Sequence, residues 1–160
     1  GKAIAKRCHY GFDMEVVFHN RSRVEEPGLP ALQVEMAEAM AADFVVVAVP
    51  GSPATHHLID AKALGLMQKT GIFVNISRGD VVDEHALIDA LQQRRIAGAG
   101  LDVYEFAPKG PGVLMTMENV TLLPHLGTAC LEVRENMGMM GVANLIAWAE
   151  GKAPPNLVNP

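Results

Sequence analysis

Cysteine is scarce in this chain of 160 residues, with Cys8 and Cys130 the only two. They lie far apart, so neither a disulfide framework nor a zinc site is indicated, and no metal is expected. No apolar run is long enough to span a bilayer, and no signal-peptide pattern opens the sequence. Positive charge is short as well: 13 Lys and Arg against 18 Asp and Glu leave a net charge of −5. Nucleic-acid binders rest their affinity on clustered Lys and Arg, so the balance argues against that class. No internal repeat is visible. What remains is a composition 49% hydrophobic and 19% charged, that of an ordinary globular protein able to form one domain with a real core. A cytoplasmic setting is the default expectation. The first residue is Gly rather than Met, so Gly1 is not expected to be the native start.

Strand and helix patterns alternate along the chain. Gly1 to Tyr10 reads as a helix ended by Gly11, and Met14 to His19 as a strand. After a loop at Pro27, Gly28 and Pro30, Leu32 to Ala42 is rich in helix formers, with Leu32, Met36 and Met40 on one face. Phe44 to Val49 is an unbroken apolar strand of the kind a parallel sheet covers on both faces. Pro50 to Pro53 is a turn-rich loop, and Asp60 is a plausible N-cap for a short helix, Ala61 to Met67. Ile72 to Ile76 is a strand, Asp83 begins a helical pattern, and Ile96 to Asp102 is a Gly-rich strand. Val103 to Asn119 is a long loop, and Val120 to Leu123 a last strand ended by Pro124. Thr128 to Glu150 is mostly one helix, whose Met137, Met139 and Met140 read as core filler. Lys152 to Pro160 is a proline-rich tail. This alternation predicts an α/β fold with a doubly wound parallel sheet.

The organising stretch is Gly71 to Asp83. In such a sheet, ligands bind beyond the carboxyl ends of the strands. Arg78, Asp102 and His125 end three successive strands and so fall on that edge. The planar fork of an arginine can hold a carboxylate, and a histidine can move a proton near neutral pH. With a bound cofactor, that pair suits redox chemistry on an acid with a neighbouring hydroxyl or keto group.

Three long motifs extend this reading. They are Asn75-Ile76-Ser77-Arg78-Gly79-Asp80-Val81-Val82-Asp83, then Ile96-Ala97-Gly98-Ala99-Gly100-Leu101-Asp102-Val103-Tyr104-Glu105, then Asn119-Val120-Thr121-Leu122-Leu123-Pro124-His125-Leu126-Gly127-Thr128. In this order they closely resemble the D-isomer-specific 2-hydroxyacid dehydrogenases, near the glyoxylate/hydroxypyruvate reductases. Val49-Pro50, with Thr55-His56-His57-Leu58-Ile59, looks like that family's loop after the third strand. The resemblance implies a Rossmann-like domain and NAD(P)-dependent reduction of small 2-keto acids to D-2-hydroxy acids. Arg78 would hold the substrate carboxylate and polarise the keto group, and His125 would donate the proton as hydride arrives. Asp102 would orient the nicotinamide carboxamide, with Ile76, Ser77 and Gly127 also at the cofactor. A homodimer is the expected assembly.

The sequence departs from the family pattern in two places. Where the family carries a glutamate paired with the catalytic histidine, this chain has Ala107, ahead of Pro108. Glu105 is nearby but is not the pairing residue of the pattern. Of the family's Gly-x-Gly-x-x-Gly turn, only the last glycine, Gly1, and the helix behind it are matched. Residues 1–150 are therefore expected to form a nucleotide-binding domain incomplete at its N-terminus. Residues 151–160 are expected to form a tail returning toward an absent substrate domain, near the C-terminus. With the first strand missing, Glu15 to Phe18 and Ile72 to Ile76 are expected to show unpaired edges, unless another segment fills the gap.

Cofactor choice is read after the second strand, where an acid would hydrogen-bond the adenine ribose and select NAD. Here Asn20 stands in that place, followed by Arg21, Ser22 and Arg23. The arginines can neutralise a 2′-phosphate and Ser22 can donate to it, which puts NADP ahead of NAD. Two rivals share the fold: a non-catalytic nucleotide-binding sensor or corepressor-like module, and a relative that oxidises formate or phosphite.

Overall fold

A computed structural model of the chain describes residues 1–107 and 112–158. Pro108, and the end of the tail at Asn159 and Pro160, lie outside the described residues. The chain forms two compact units, Gly1–Pro124 and His125–Pro160.

The first unit carries helices α1 (Lys2–Phe12), α2 (Met36–Met40), α3 (Ala61–Leu64) and α4 (Glu84–Gln92). Its strands are β1 (Val17–Phe18), β2 (Leu32–Gln33), β3 (Phe44–Val47), β4 (Ile72–Asn75), β5 (Gly98–Leu101) and β6 (Val120–Leu122). All described pairings are parallel: β1 with β2, and a four-stranded sheet in the order β3-β4-β5-β6. The register aligns Phe44 with Ile72 and Ile72 with Gly98, so these strands finish level with one another. Parallel neighbours of this kind need crossovers; α3 supplies the one between β3 and β4 and α4 the one between β4 and β5, the βαβ units of the doubly wound α/β class expected from the sequence.

The core lies on one face of the four-stranded sheet, where Phe73 and Leu101 meet Leu64, Leu87, Leu91 and Ile96. Two aspartates start the helices that build it. Asp60 accepts a hydrogen bond from the Ala63 N–H at 2.8 Å, and Asp83 from the Ala86 N–H at 3.1 Å. Each satisfies one of the orphan donors of a first helical turn.

The structure corrects several expectations. Leu32 lies in a strand, not in the helix predicted over Leu32 to Ala42. The Leu32 N–H donates to the Val16 carbonyl and the Val34 N–H to the Phe18 carbonyl, so pairing with β1 overrides helix propensity. The helix there shrinks to Met36–Met40. Gly11 does not end α1, which continues to Phe12 and closes on Asp13 in the left-handed conformation. Ile72–Asn75 has no open edge, since β3 and β5 pair with it on either side. The extra strand at Leu32 displaced the count by one: among the described strands, β1, β2, β3 and β6 each pair on a single side. Nor is β3 covered on both faces: Val45 and Val47 are buried while Phe44 and Val46 are exposed.

The second unit consists of α5 (Leu131–Ala149) with the segments before and after it. The Asn156 N–H donates to Asn144 Oδ1 at 2.9 Å, tying the following segment back to the helix. None of the residues of α5 is buried. Met137, Met139 and Met140 are exposed, not core filler, because one helix and its tail supply no second apolar layer.

Candidate active site

The loops that leave β3, β4 and β5 emerge on one edge of the sheet. The loop after β3 is braced by Thr55, whose hydroxyl donates to the Pro50 carbonyl at 2.9 Å and accepts from the Ser52 N–H at 2.9 Å. After β4, the buried Asn75 side chain fixes the turn: Oδ1 accepts from the Ser77 N–H (2.9 Å) and hydroxyl (2.7 Å), and Nδ2 donates to the Arg78 carbonyl (3.0 Å). Arg78 is thereby placed at the strand's end with its side chain exposed and its Nη1 donating to the Ser77 carbonyl at 2.7 Å. Its stem lies across Gly51, where an added Cβ would come within 2.7 Å of Arg78 Cγ. After β5, Asp102 is buried and its N–H donates to the Asn75 carbonyl at 3.0 Å.

Two hollows flank Arg78. One, of about 440 Å³, is lined by Gly1, Val49 and Pro50 on one side and Ile76, Ser77 and Arg78 on the other. The structure thus gathers six of the residues expected at the cofactor around a single space. The other, of about 700 Å³, is lined by Gly51, Ser52, Pro53, His56, Arg78 and Asp80. Arg78 is common to both, so one side chain faces two adjoining compartments. The first is bordered by Gly1, the N-cap of the 11-residue α1, which receives no side-chain cap. Uncapped N–H groups at a helix start favour an anion.

Asn20, Arg21 and Ser22 sit together in the turn after β1. Asn20 Nδ2 donates to the Ser22 carbonyl at 2.8 Å, and Gln33 Nε2 on β2 donates to the same carbonyl at 3.0 Å. Gln33 was not anticipated as a site residue; its signal is the strand hidden inside an apparent helix. Arg23 forms an exposed ion pair with Glu25 at 3.0 Å, whereas Arg21 has no ion pair among the described residues. His125 and Gly127 belong to the second unit. His125 is exposed and held at φ 58°, in the left-handed region that histidine enters more readily than most residues.

Sequence reasoning also missed a cross-tie. His57 Nε2 lies 2.6 Å from Glu105 Oε1, and the Glu84 N–H donates to Glu105 Oε2 at 3.2 Å. The Glu105 N–H in turn donates to Glu84 Oε2 at 3.1 Å. Both Glu105 oxygens are thus engaged inside the first unit. That hydrogen bond raises the His57 pKa, partly opposed by burial, while burial raises that of Glu84. Ala107 is exposed. His56, His57 and Glu105 are also the group, among the described residues, whose ligand atoms come close enough for a metal, within 4.8 Å. His57 Nε2 and Glu105 Oε1, 2.6 Å apart, stand at the spacing of a hydrogen-bonded pair.

A parallel α/β sheet with an arginine and a buried aspartate at its ligand edge, beside an uncapped helix start, defines a dinucleotide-binding domain of the dehydrogenase type. The family described as D-isomer specific 2-hydroxyacid dehydrogenase, NAD binding domain, matches residues 1–127, and the chain belongs to it. It is 46% identical over 165 residues to glyoxylate reductase of Pyrococcus horikoshii, covering 99% of this chain and 48% of that protein. It is 44% identical to glyoxylate/hydroxypyruvate reductase B of Cronobacter sakazakii, covering 100% of this chain and 51% of that one. Among solved structures it is similar to the NADPH-dependent glyoxylate/hydroxypyruvate reductase of Sinorhizobium meliloti in complex with NADP and malonate. The TM-score there is 0.85 at 39% identity, over 91% of this chain and 46% of that one. D-mandelate dehydrogenase of Rhodotorula graminis gives a TM-score of 0.89 at 32% identity, over 99% of this chain and 48% of that one. The chain spans about half the length of the curated relatives it matches.

Proposed function

We propose that this chain is the nucleotide-binding part of an oxidoreductase that uses NADPH to reduce a small 2-keto acid, such as glyoxylate or hydroxypyruvate, to the D-2-hydroxy acid. Residues 1–150 form that part in this reading, and 151–160 the returning tail. The observation that carries it is Arg78, fixed through Asn75 at the end of β4 and facing both hollows at once. A dinucleotide in the hollow beside Gly1 would lie against Val49, Pro50, Ile76 and Ser77, with its pyrophosphate at the start of α1. When bound, the reduced nicotinamide supplies the hydride that reaches the keto carbon.

The chain's own residues do the rest. Arg78 holds the carboxylate through its planar fork and draws electron density from the keto oxygen. Asp102 turns the nicotinamide carboxamide, and His125 delivers a proton to the oxygen as it becomes a hydroxyl. Hydride to carbon and proton to oxygen balance the reduction. For the adenine end, Asn20 replaces the acid that would favour NAD, and Arg21, without an ion pair, can meet a 2′-phosphate. Arg23 contributes less, because Glu25 already neutralises it.

Support also comes from the relatives, several of which carry the name glyoxylate reductase at 44–46% identity across nearly all of this chain. No described helix is long and apolar enough to cross a membrane. A homodimer and a cytoplasmic setting complete the reading. Steady-state oxidation of NADPH by the full-length protein with glyoxylate and hydroxypyruvate is the test. Turnover that needs the keto acid and prefers NADPH supports an enzyme; binding of NADPH without turnover on either acid would replace it with the nucleotide-sensing module.

A further inference from the structure

We propose that His57 and Glu105 form a clasp that positions Arg78, coupling the grip on a substrate carboxylate to the charge of His57. This rests on the reading of Arg78 as the carboxylate holder. The clasp joins three loops. His57 leaves the β3 loop with φ 48°, in the left-handed region. Its N–H donates to the Asp80 carbonyl at 2.8 Å, two residues beyond Arg78. Further on, the Ile59 N–H donates to the Val81 carbonyl and the Asp83 N–H to the Ile59 carbonyl, both at 3.0 Å. The β3 loop therefore runs as a splint along the segment that bears Arg78.

The other side of that segment meets Glu105. Gly79 lies so close to the Tyr104–Glu105 backbone that an added Cβ would fall within 2.0 Å of it. The main-chain N–H of Glu105 and of Glu84 each donates to the other's carboxylate, which locks the start of α4 to the loop after β5. Among the described residues, the His57–Glu105 hydrogen bond closes the ring between splint and loop by side chains, at 2.6 Å. The His57 ring also stacks on His56 with centroids 4.0 Å apart, and His56 lines the hollow that Arg78 faces. His57 and Glu105 touch no reacting atom in this scheme; they are positioning residues.

The charged groups acting on His57 are Glu105, Asp83 and Asp80, with His56 stacked on its ring. Glu84 and, next to it, His85 act on the Glu105 end. The acids raise the His57 pKa above its ordinary 6.5, Glu105 most through the hydrogen bond, so folding favours the imidazolium. The contribution of the ion pair is fully present below 6.5 and is lost as pH rises through the raised value. The grip on a carboxylate should then slacken over the same interval, on the alkaline side of 6.5.

The test uses the full-length protein with NADP present and oxalate as a carboxylate probe that cannot be turned over. Calorimetric affinity is measured across pH for wild type, His57→Gln and Glu105→Gln; either glutamine can keep a neutral hydrogen bond. Wild type should lose about two- to fivefold in oxalate affinity above the His57 titration, the range of a partly exposed ion pair. In His57→Gln that step should vanish, leaving the weaker affinity throughout, and in Glu105→Gln it should move to lower pH. The Michaelis constant for glyoxylate should follow the same pattern while kcat stays within about twofold. Identical pH dependence in all three proteins would overturn the clasp, as would a His57 ring that titrates below 6.5 by NMR. Should wild type neither bind oxalate nor reduce glyoxylate, the functional reading fails instead. Hydrogen exchange then judges the clasp alone: faster exchange of the amides of residues 79–83 in both variants supports it, and unchanged protection overturns it.

Discussion

The two residues proposed to do the chemistry sit in contrasting surroundings. Arg78 belongs to a segment tied down by Asn75, packed through Gly79 on the Tyr104–Glu105 backbone and splinted by the loop of His57. His125 opens a unit whose helix buries none of its residues, and its own backbone lies in the left-handed region. The first is positioned by contacts of its own unit, and the second is given little by its own. Preorganisation is a local property: a catalytic pair can have one member built into a rigid edge and the other not. An anchor for the substrate carboxylate profits most from rigidity, because it sets where the keto carbon lies.

The contrast can be broken at several points. The largest effect is expected at His125. His125→Ala in the full-length protein should lower kcat for glyoxylate reduction by about 10²–10⁴, the range of a lost general acid. Its melting temperature should stay close to wild type, since no side-chain hydrogen bond of His125 exists among the described residues. Retained turnover would remove His125 from the chemistry.

Next comes Gly79, on the rigid side. Gly79→Ala should cost about 3 kcal/mol of stability in urea unfolding, the upper part of the overpacking range, because the atoms in its way are backbone. A loss under about 0.5 kcal/mol, ordinary for a surface position, would mean that the Arg78 segment is not clamped. The smallest of these effects concerns the adenine end. Arg21→Ala should weaken NADPH binding by about 1.5–3 kcal/mol, one charge-assisted hydrogen bond, and leave NADH nearly unchanged. Equal losses for both cofactors would place Arg21 away from the 2′-phosphate.

Much of the rigid side was legible in the sequence. Asp60 announces a helix start because a short acceptor ahead of an apolar period has one common use, and it caps as expected; Asp83, read as the first residue of a helical pattern, is the cap of that helix. The strands at Ile72 and Gly98 follow from β-branched or Gly-rich runs bounded by turn residues. What failed were features fixed by distant parts of the chain. Leu32–Gln33 looks helical until β1 is beside it, and that one strand shifted which edges were expected to be open. The His57–Glu105 contact spans 48 residues and has no periodicity to betray it. Its faint signal was a set of acids, Asp83, Glu84 and Glu105, on neighbouring loops of one sheet edge, with a histidine motif on the third. The methionines of α5 were misread as core filler, because their spread around the helix marks no single face to cover.

The central claim is that Arg78 holds the substrate carboxylate through the geometry of its fork and not merely its charge. Arg78→Lys keeps the charge and removes the bidentate match, so it isolates that claim. In the full-length protein, the Michaelis constant for glyoxylate should rise on the order of 10- to 100-fold, roughly one charged hydrogen bond, while the NADPH dissociation constant changes less than about threefold. A Michaelis constant for glyoxylate within about twofold of wild type in Arg78→Lys would contradict the account.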